Sequence, residues 1–214
     1  MANEPEFRGL KAPRLQILHL ATGNAHKVQE FQALADASGL ALRIEAAKPM
    51  PDVVEDTGTF AGNARKKAAA LKAVLPSDAW VLADDSGLCV DALGGAPGVE
   101  SAYYAGPAGN SAANLAKLVE VMRPVPEGKR GAHFTCVLVL LGPEGVEATV
   151  EGRSEGALRR EPVGGGGFGY DPLFIPAGGG RTFAELPEAE KNKLSHRGRA
   201  WLSLVKWLRA TGAA

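Results

Sequence analysis

The run Val81-Leu82-Ala83-Asp84-Asp85-Ser86-Gly87 constrains this chain more than any other stretch. A buried apolar strand leads directly into two adjacent carboxylates. Successive strand residues point to opposite faces of a sheet, so the two acids have different surroundings and different work. One can face a cleft while the other is held by backbone donors. Ser86 and Gly87 read as turn residues, a hydroxyl for local bonds and a free φ, so the strand is expected to stop there. The following Gly94-Gly95-Ala96-Pro97-Gly98 lets backbone pack closely. The bland alternative is a strand exit with solvated aspartates, and the rest of the chain weighs against it by supplying cationic and glycine-rich partners.

Upstream, Leu15 to Ala21 has strand length and apolar character. Thr22-Gly23-Asn24 follows, then Val28, Phe31, Leu34 and Ala35 recur at helical spacing. Asn24 suits the N-cap, which puts Lys27 in the first helical turn, where a cation opposes the macrodipole. Helix N-termini already attract anions through free N–H groups. A lysine added there makes sense if a phosphate chain crosses the turn; the alternative is an exposed pair with Glu30, worth only ~0.2–0.5 kcal/mol. The spacing is not that of a P-loop. Leu40 to Ile44 suggests a short second strand, and a loop with Asp52, Glu55 and Asp56 comes next. Thr57 or Thr59 then caps a helix running to about Leu75, with Phe60, Ala64, Leu71 and Val74 on its apolar stripe. Lys67 shares that stripe. It either snorkels outward or meets an anion in a cleft, while Arg65 and Lys66 face solvent.

Downstream, Asn110 or Ser111 caps a helix through Leu115, Leu118, Val119 and Met122, ended by Pro124 and Pro126. His133–Leu141 and Val146–Gly156 form a hairpin around Gly142-Pro143-Glu144-Gly145, with His133 as a strand-end residue. Gly164 to Pro172 reads Gly-Gly-Gly-Gly-Phe-Gly-Tyr-Asp-Pro. Four glycines are costly to order, so this loop needs a reason such as backbone approaching a ligand. Phe168 suits stacking on a nucleobase, worth ~1–3 kcal/mol where measured, or else anchors the loop to the core. Asp171, held extended before Pro172, caps the turn or contacts a ligand. Ser195 caps a last helix whose apolar face is Trp201, Leu204, Val205 and Leu208. That leaves His196 and Arg197 in its first turn, a second cationic helix start after the one at Lys27. The repetition points to a polyanion or an electron-rich base as the ligand.

Twenty-four basic residues balance 24 acidic ones among 214. A nucleic-acid binder usually carries a basic excess, so none is expected as a partner. Cys89 and Cys136 lie in apolar runs without metal-ligand spacing and read as small buried hydrophobes of a reducing compartment. No secretory leader is read, and the apolar runs fall well short of the ~20 residues that cross a bilayer. The sequence therefore predicts a cytoplasmic protein with no membrane partner. A polar lead-in is expected over residues 1–14, ahead of one α/β domain over 15–214.

Four motifs in order carry a family resemblance: Thr22-Gly23-Asn24-Ala25-His26-Lys27, Ala83-Asp84-Asp85-Ser86-Gly87-Leu88, Gly166-Gly167-Phe168-Gly169-Tyr170-Asp171-Pro172 and Ser195-His196-Arg197-Gly198. A looser match covers Glu55-Asp56-Thr57-Gly58 through Asn63-Ala64 to Lys67-Ala68. The chain resembles the inosine/xanthosine triphosphate pyrophosphatases of the Ham1 type over nearly its whole length. The resemblance implies an elongated α/β fold, a mixed central sheet flanked by helices, with two lobes around a nucleotide cleft. It implies hydrolysis of deaminated purine nucleoside triphosphates to the monophosphate and pyrophosphate, with Mg²⁺, in a homodimer. Carried over by position, Thr22, Gly23, Asn24, Ala25, His26, Lys27, Lys67 and Ser86 would bind the phosphate side. Phe168 would stack on the base, with Gly169, Tyr170, Asp171, Lys191, His196 and Arg197 around it. Asp85 would be the catalytic base or metal-linked acid, and Asp56 or Glu55 the second metal carboxylate. Bacterial members of that family commonly have two glutamates and one more residue in the loop where this chain has Glu55-Asp56 and a shorter step to Thr59, which leaves that last choice open. The other readings are a Maf-type pyrophosphatase acting on pyrimidine or modified nucleotides, and a nucleotide sensor without turnover.

Overall fold

A computed structural model describes residues 15–213; the lead-in expected over 1–14 lies outside the described residues. Six strands form one mixed sheet in the order β2-β1-β3-β4-β5-β6. In chain order the elements are β1 (Ile17–Leu20), α1 (Ala25–Ala37), β2 (Arg43–Ala46), α2 (Phe60–Lys72), β3 (Trp80–Val90) and α3 (Ser111–Met122). Then come β4 (Gly131–Leu141), β5 (Glu147–Leu158), β6 (Phe174–Pro176), α4 (Glu188–Leu194) and α5 (His196–Thr211). β1 pairs in parallel with β2 and β3, whereas β3, β4, β5 and β6 are joined antiparallel. The Gly142–Val146 connection closes the expected β4–β5 hairpin.

β3 corrects the sequence reading. It does not stop at the diacid but continues to Val90, paired residue for residue with β4. Gly87 is therefore not a turn residue. It sits in the strand because a Cβ there would overlap the Gly98 carbonyl and the Ser101 hydroxyl, which pack directly on it. The alternation along β3 survives and sorts the molecule into layers. Trp80 and Leu82 face α1 and α5, in a core with Phe31, Trp201, Leu204 and Leu138. Val81 and Ala83 face α2, with Ala64, Ala68, Leu71 and Val139. A third cluster lies at the far end of β3, where Leu88 and Val90 meet Leu118 and Met122 of α3 and Phe134, Phe174 and Phe183. Arg130 ties that lobe together: its buried guanidinium donates to the carbonyls of Met122, Val125, Leu158 and Arg159.

Three further expectations shift. The second strand starts at Arg43 rather than Leu40, and α2 ends at Lys72, leaving Val74 outside the helix and exposed. Cys136 is buried as expected, but Cys89 is only half-buried. β6 and α4 had no counterpart in the sequence reading. The caps hold: Asn24, Thr59, Asn110 and Ser195 each accept a backbone N–H of the helix they open.

Candidate active site

The alternation of β3 sends the two aspartates to opposite faces. Asp84, on the α1/α5 side, accepts from Lys27 Nζ of α1 (3.0 Å) and Arg197 Nη2 of α5 (3.0 Å). Its partners are side chains, not the backbone donors expected. Arg197 Nη1 donates in turn to Glu30 (2.7 Å), and Nη2 also reaches Ser86 Oγ (3.2 Å). The result is a buried chain of alternating charge: Lys27, Asp84, Arg197, Glu30. Burial alone would raise the Asp84 carboxyl, but Lys27 and Arg197 outweigh it and hold it well below the usual carboxylate range. Asp84 is thus a fixed anion, and this lysine does not pair with Glu30 as the bland reading supposed.

Asp85 lies on the α2 side. Lys67 Nζ donates both to Asp85 Oδ1 (3.1 Å) and to Glu55 Oε2 (2.9 Å). Lys67 therefore does not snorkel; its apolar-stripe position aims it at two carboxylates. Burial works against its charge, yet Asp85, Asp84 and Glu55 together raise it, so it stays an ammonium. Burial pushes Asp85 up to about 6 against the pull of Lys67, and the neighbouring Glu55 charge adds to the rise. Asp85 Oδ2 is buried without a hydrogen-bond partner among the described residues. A carboxylate oxygen so placed, with a second carboxylate across the lysine, suits a hard cation that takes one or two carboxylates and completes its shell with phosphate oxygens and water. Asp56 is outside this group: its carboxylate is exposed and pairs with Lys66 (2.6 Å).

Two cavities meet along this line. One, of about 450 Å³, is lined by Thr22, Gly23, Lys27, Glu55, Lys67 and Asp85. The other, of about 220 Å³, is lined by Phe168, Gly169, Tyr170, Asp171, Lys191 and His196. Asn24, Lys27, Ser86 and Ala102 border both. The first has a helix N-terminus, two lysines and five acidic residues, Asp52, Glu55, Asp84, Asp85 and Glu100; the second combines the rings of Phe134, Phe168 and Tyr170 with charged side chains such as Asp171 and Lys191.

The glycine loop is constrained in part by packing inside the protein. Gly167 has φ +70°, and a Cβ on it would run into the Asp171 carboxylate. That carboxylate caps the turn by accepting Phe168 N (2.8 Å) and is paired with Lys191 Nζ (2.7 Å). Burial raises Asp171 above its ordinary value despite the lysine. Phe168 keeps 37% of its surface exposed, with Lys191 Nζ 5.1 Å from the ring centroid. A ring left half bare at a cavity mouth is available for stacking, not an anchor. His196 is stacked on Phe134 (centroids 4.7 Å apart, 12° between planes). Burial, then the Arg197 and Lys191 charges, hold it well below the usual imidazole range, so the ring is neutral.

Not every expected residue reaches the cleft. Ala25 opens α1, and exposed His26 borders a separate cavity behind Phe168. Arg197 lines the base-side cavity but is 1% exposed, with both terminal nitrogens committed to Glu30, Asp84 and Ser86. Sequence reasoning missed Glu30 as its partner, the Phe134 platform under His196, and Ser101 and Asn114 on the cavity wall. Buried Glu30 sits on the core-facing side of α1, and an acid in that register was the available signal.

A family model described as the Ham1 family matches residues 18–207. A dITP/XTP pyrophosphatase of Opitutus terrae is 57% identical over 197 residues, 89% of this chain and 97% of that protein. One of Streptomyces avermitilis is 48% identical over 195 residues, 90% of this chain and 96% of that protein. Among solved structures, a HAM1 protein of Coxiella burnetii superposes with a TM-score of 0.79 at 37% identity, over 92% of this chain and all of that one. The Ham1 protein of Staphylococcus aureus does so with 0.78 at 33% identity, over 91% and 98%. The order of the four motifs, the sheet they sit on and these likenesses have one reading: the chain belongs to the Ham1 family.

Proposed function

We propose that this protein hydrolyses deaminated purine nucleoside triphosphates (ITP, dITP, XTP) to the monophosphate and pyrophosphate. The observation that carries this is the continuity of the two cavities: a slot with a half-bare Phe168 opens into a phosphate-sized space holding Lys27, Lys67 and the start of α1. Asp85 lines the second space, with Lys67 and Glu55 beside it. The names of the relatives, dITP/XTP pyrophosphatases, agree with it.

In this reading the base stacks on Phe168, and the triphosphate crosses the N-terminal turn of α1, where N–H groups and Lys27 receive it. Lys67 holds Asp85 and Glu55 in place and offers its one remaining N–H to a phosphate oxygen. Asp85 takes the proton of the attacking water, as a positioned general base. Positioning and fixed cations supply most of the acceleration in such a reaction. Mg²⁺, held by Asp85 and Glu55, would neutralise charge on the phosphate oxygens. Exposed Asp56 is the poorer candidate for that role. A cytoplasmic homodimer belongs to the same proposal on family resemblance alone, and sedimentation velocity tests the dimer.

The functional test is kcat/KM for ITP, XTP, ATP and GTP, with pyrophosphate detected directly. ITP and XTP should exceed ATP by at least ~10²-fold, within reach of a site that pairs with a keto oxygen. ATP within tenfold of ITP would remove the base reading. Binding without turnover would instead favour a sensor.

A further inference from the structure

Ser101 and Ala102 form part of the wall of the base cavity, and their backbone carbonyls are already bonded from inside the protein. Tyr170 Oη donates to the Ser101 carbonyl (2.9 Å) from the glycine loop, 69 residues away in sequence. Asn114 of α3 donates from Nδ2 to the carbonyls of Ser101 (3.3 Å) and Ala102 (2.9 Å), while its Oδ1 accepts Ala105 N (2.7 Å). The Ser101 hydroxyl is occupied as well, accepting Leu88 N (2.9 Å) and donating to the Gly98 carbonyl (2.6 Å). Ser101, Asn114 and Tyr170 are 7%, 3% and 5% exposed.

A carbonyl oxygen has two lone pairs. Both lone pairs of Ser101 O are engaged by Tyr170 and Asn114, and Ala102 O has one engaged. Lys191, which lines the same cavity, spends one of its three N–H groups on Asp171. The pocket therefore sets Lys191 donors beside carbonyls that are largely capped, with Asp171 Oδ1 and one lone pair of Ala102 O as acceptors left open among the described residues. His196, a neutral ring, can serve as donor or acceptor and does not discriminate by itself. Keto purines bring an acceptor oxygen where amino purines bring an N–H donor, and a buried donor left without a partner is penalised.

We infer that Tyr170 and Asn114 help to determine which purine is accepted, by occupying both lone pairs of the Ser101 carbonyl and one of the Ala102 carbonyl, so that an exocyclic amino group finds fewer open acceptors on this wall. The inference rests on the proposed reading of the cleft as a purine triphosphate site. It adds to whatever Arg197 supplies, since that guanidinium spends three of its five N–H groups on Glu30, Asp84 and Ser86. It also gives a reason for GTP to be refused, through its 2-amino group.

Tyr170→Phe tests it by deleting one oxygen and keeping the ring. The assay is kcat/KM for ITP, ATP and GTP on the full chain with Mg²⁺, wild type alongside, with thermal unfolding to show that both are folded. The expected result is a fall of about 2–12-fold in the ITP/GTP or ITP/ATP ratio, the worth of one newly available hydrogen bond. Asn114→Ala opens both carbonyls and should lower the same ratio further. If Tyr170 only braces the fold, all three substrates lose activity by one factor and the ratios stay put. A selective wild type with unchanged ratios in the variants overturns this inference alone; a wild type that does not prefer ITP overturns it together with the proposed function.

Discussion

Replacing Lys67 by methionine keeps an unbranched flexible side chain, one atom shorter, and removes one charge from between two carboxylates. The side chain is 10% exposed, as is Asp85, while Glu55 is 30% exposed. Breaking a buried pair by deleting one partner costs about 3–5 kcal/mol; water can reach Glu55, so the lower end, about 3 kcal/mol, applies at neutral pH. The loss must depend on pH. Asp85 stands at about 6 with Lys67 pulling it down, and without that pull only burial, Glu55 and the weaker Lys27 contribution remain, so it rises further. A carboxyl whose folded pKa exceeds its unfolded one takes up a proton on folding, so stability falls as pH rises through the folded pKa. Lys67→Met should thus be most deficient near pH 8 and approach wild type near pH 5, where Asp85 is protonated. Urea unfolding in EDTA across that range, which keeps metal from masking the carboxylates, measures it. An equal deficit at both ends would mean that Lys67 acts by packing, and that the charge triad does not govern the site.

Three further outcomes are expected. Glu55→Gln should raise the Mg²⁺ concentration needed for half-maximal rate by at least ~10-fold, the scale of losing a metal partner, while Asp56→Asn should leave it in place; the reverse pattern would exchange their roles. Phe168→Ala should raise KM for ITP by roughly 5–150-fold, the worth of one stacked base at ~1–3 kcal/mol, with a smaller change in kcat. An unchanged KM would return Phe168 to the core-anchor reading. Buried His196, held neutral, makes the folded state bind fewer protons than the unfolded one below about pH 6.5, so its contribution to stability is lost as pH falls. His196→Phe keeps the stack on Phe134, and its stability should gain on wild type as pH drops from about 7 to about 5; parallel curves would refute this.

Local chemistry was legible in the sequence wherever a short-range rule controlled it. The helix caps, the hairpin and the opposed faces of Asp84 and Asp85 follow from residue type and period alone. Lys67 was readable as a cleft lysine because a charge on a helix's apolar stripe needs an anion. What escaped depended on partners far along the chain. Arg197 meets Glu30 across 167 residues, and nothing near Arg197 announces that pairing. Tyr170 and Ser101 are likewise joined only by the fold. Gly87 looked like a turn because its neighbours are polar, while its real constraint is the Gly98 carbonyl packed against it. Glu55 and Asp56 are adjacent and chemically alike, so only the path of their loop could separate the one beside Lys67 from the one at the surface. α4 opens on Pro187 without a side-chain cap and spans seven residues, too short for a periodic pattern to show.

The central claim is that this cleft cleaves the bond between the α and β phosphates with water positioned by Asp85. Product analysis by ion-exchange chromatography, after incubating the purified protein with ITP and Mg²⁺, addresses it most directly. Inosine monophosphate and pyrophosphate should appear in equal amounts, and Asp85→Asn, folded by circular dichroism, should slow both by at least ~10²-fold. Inosine diphosphate and orthophosphate as products, or an Asp85→Asn protein that turns over at the normal rate, would contradict the account.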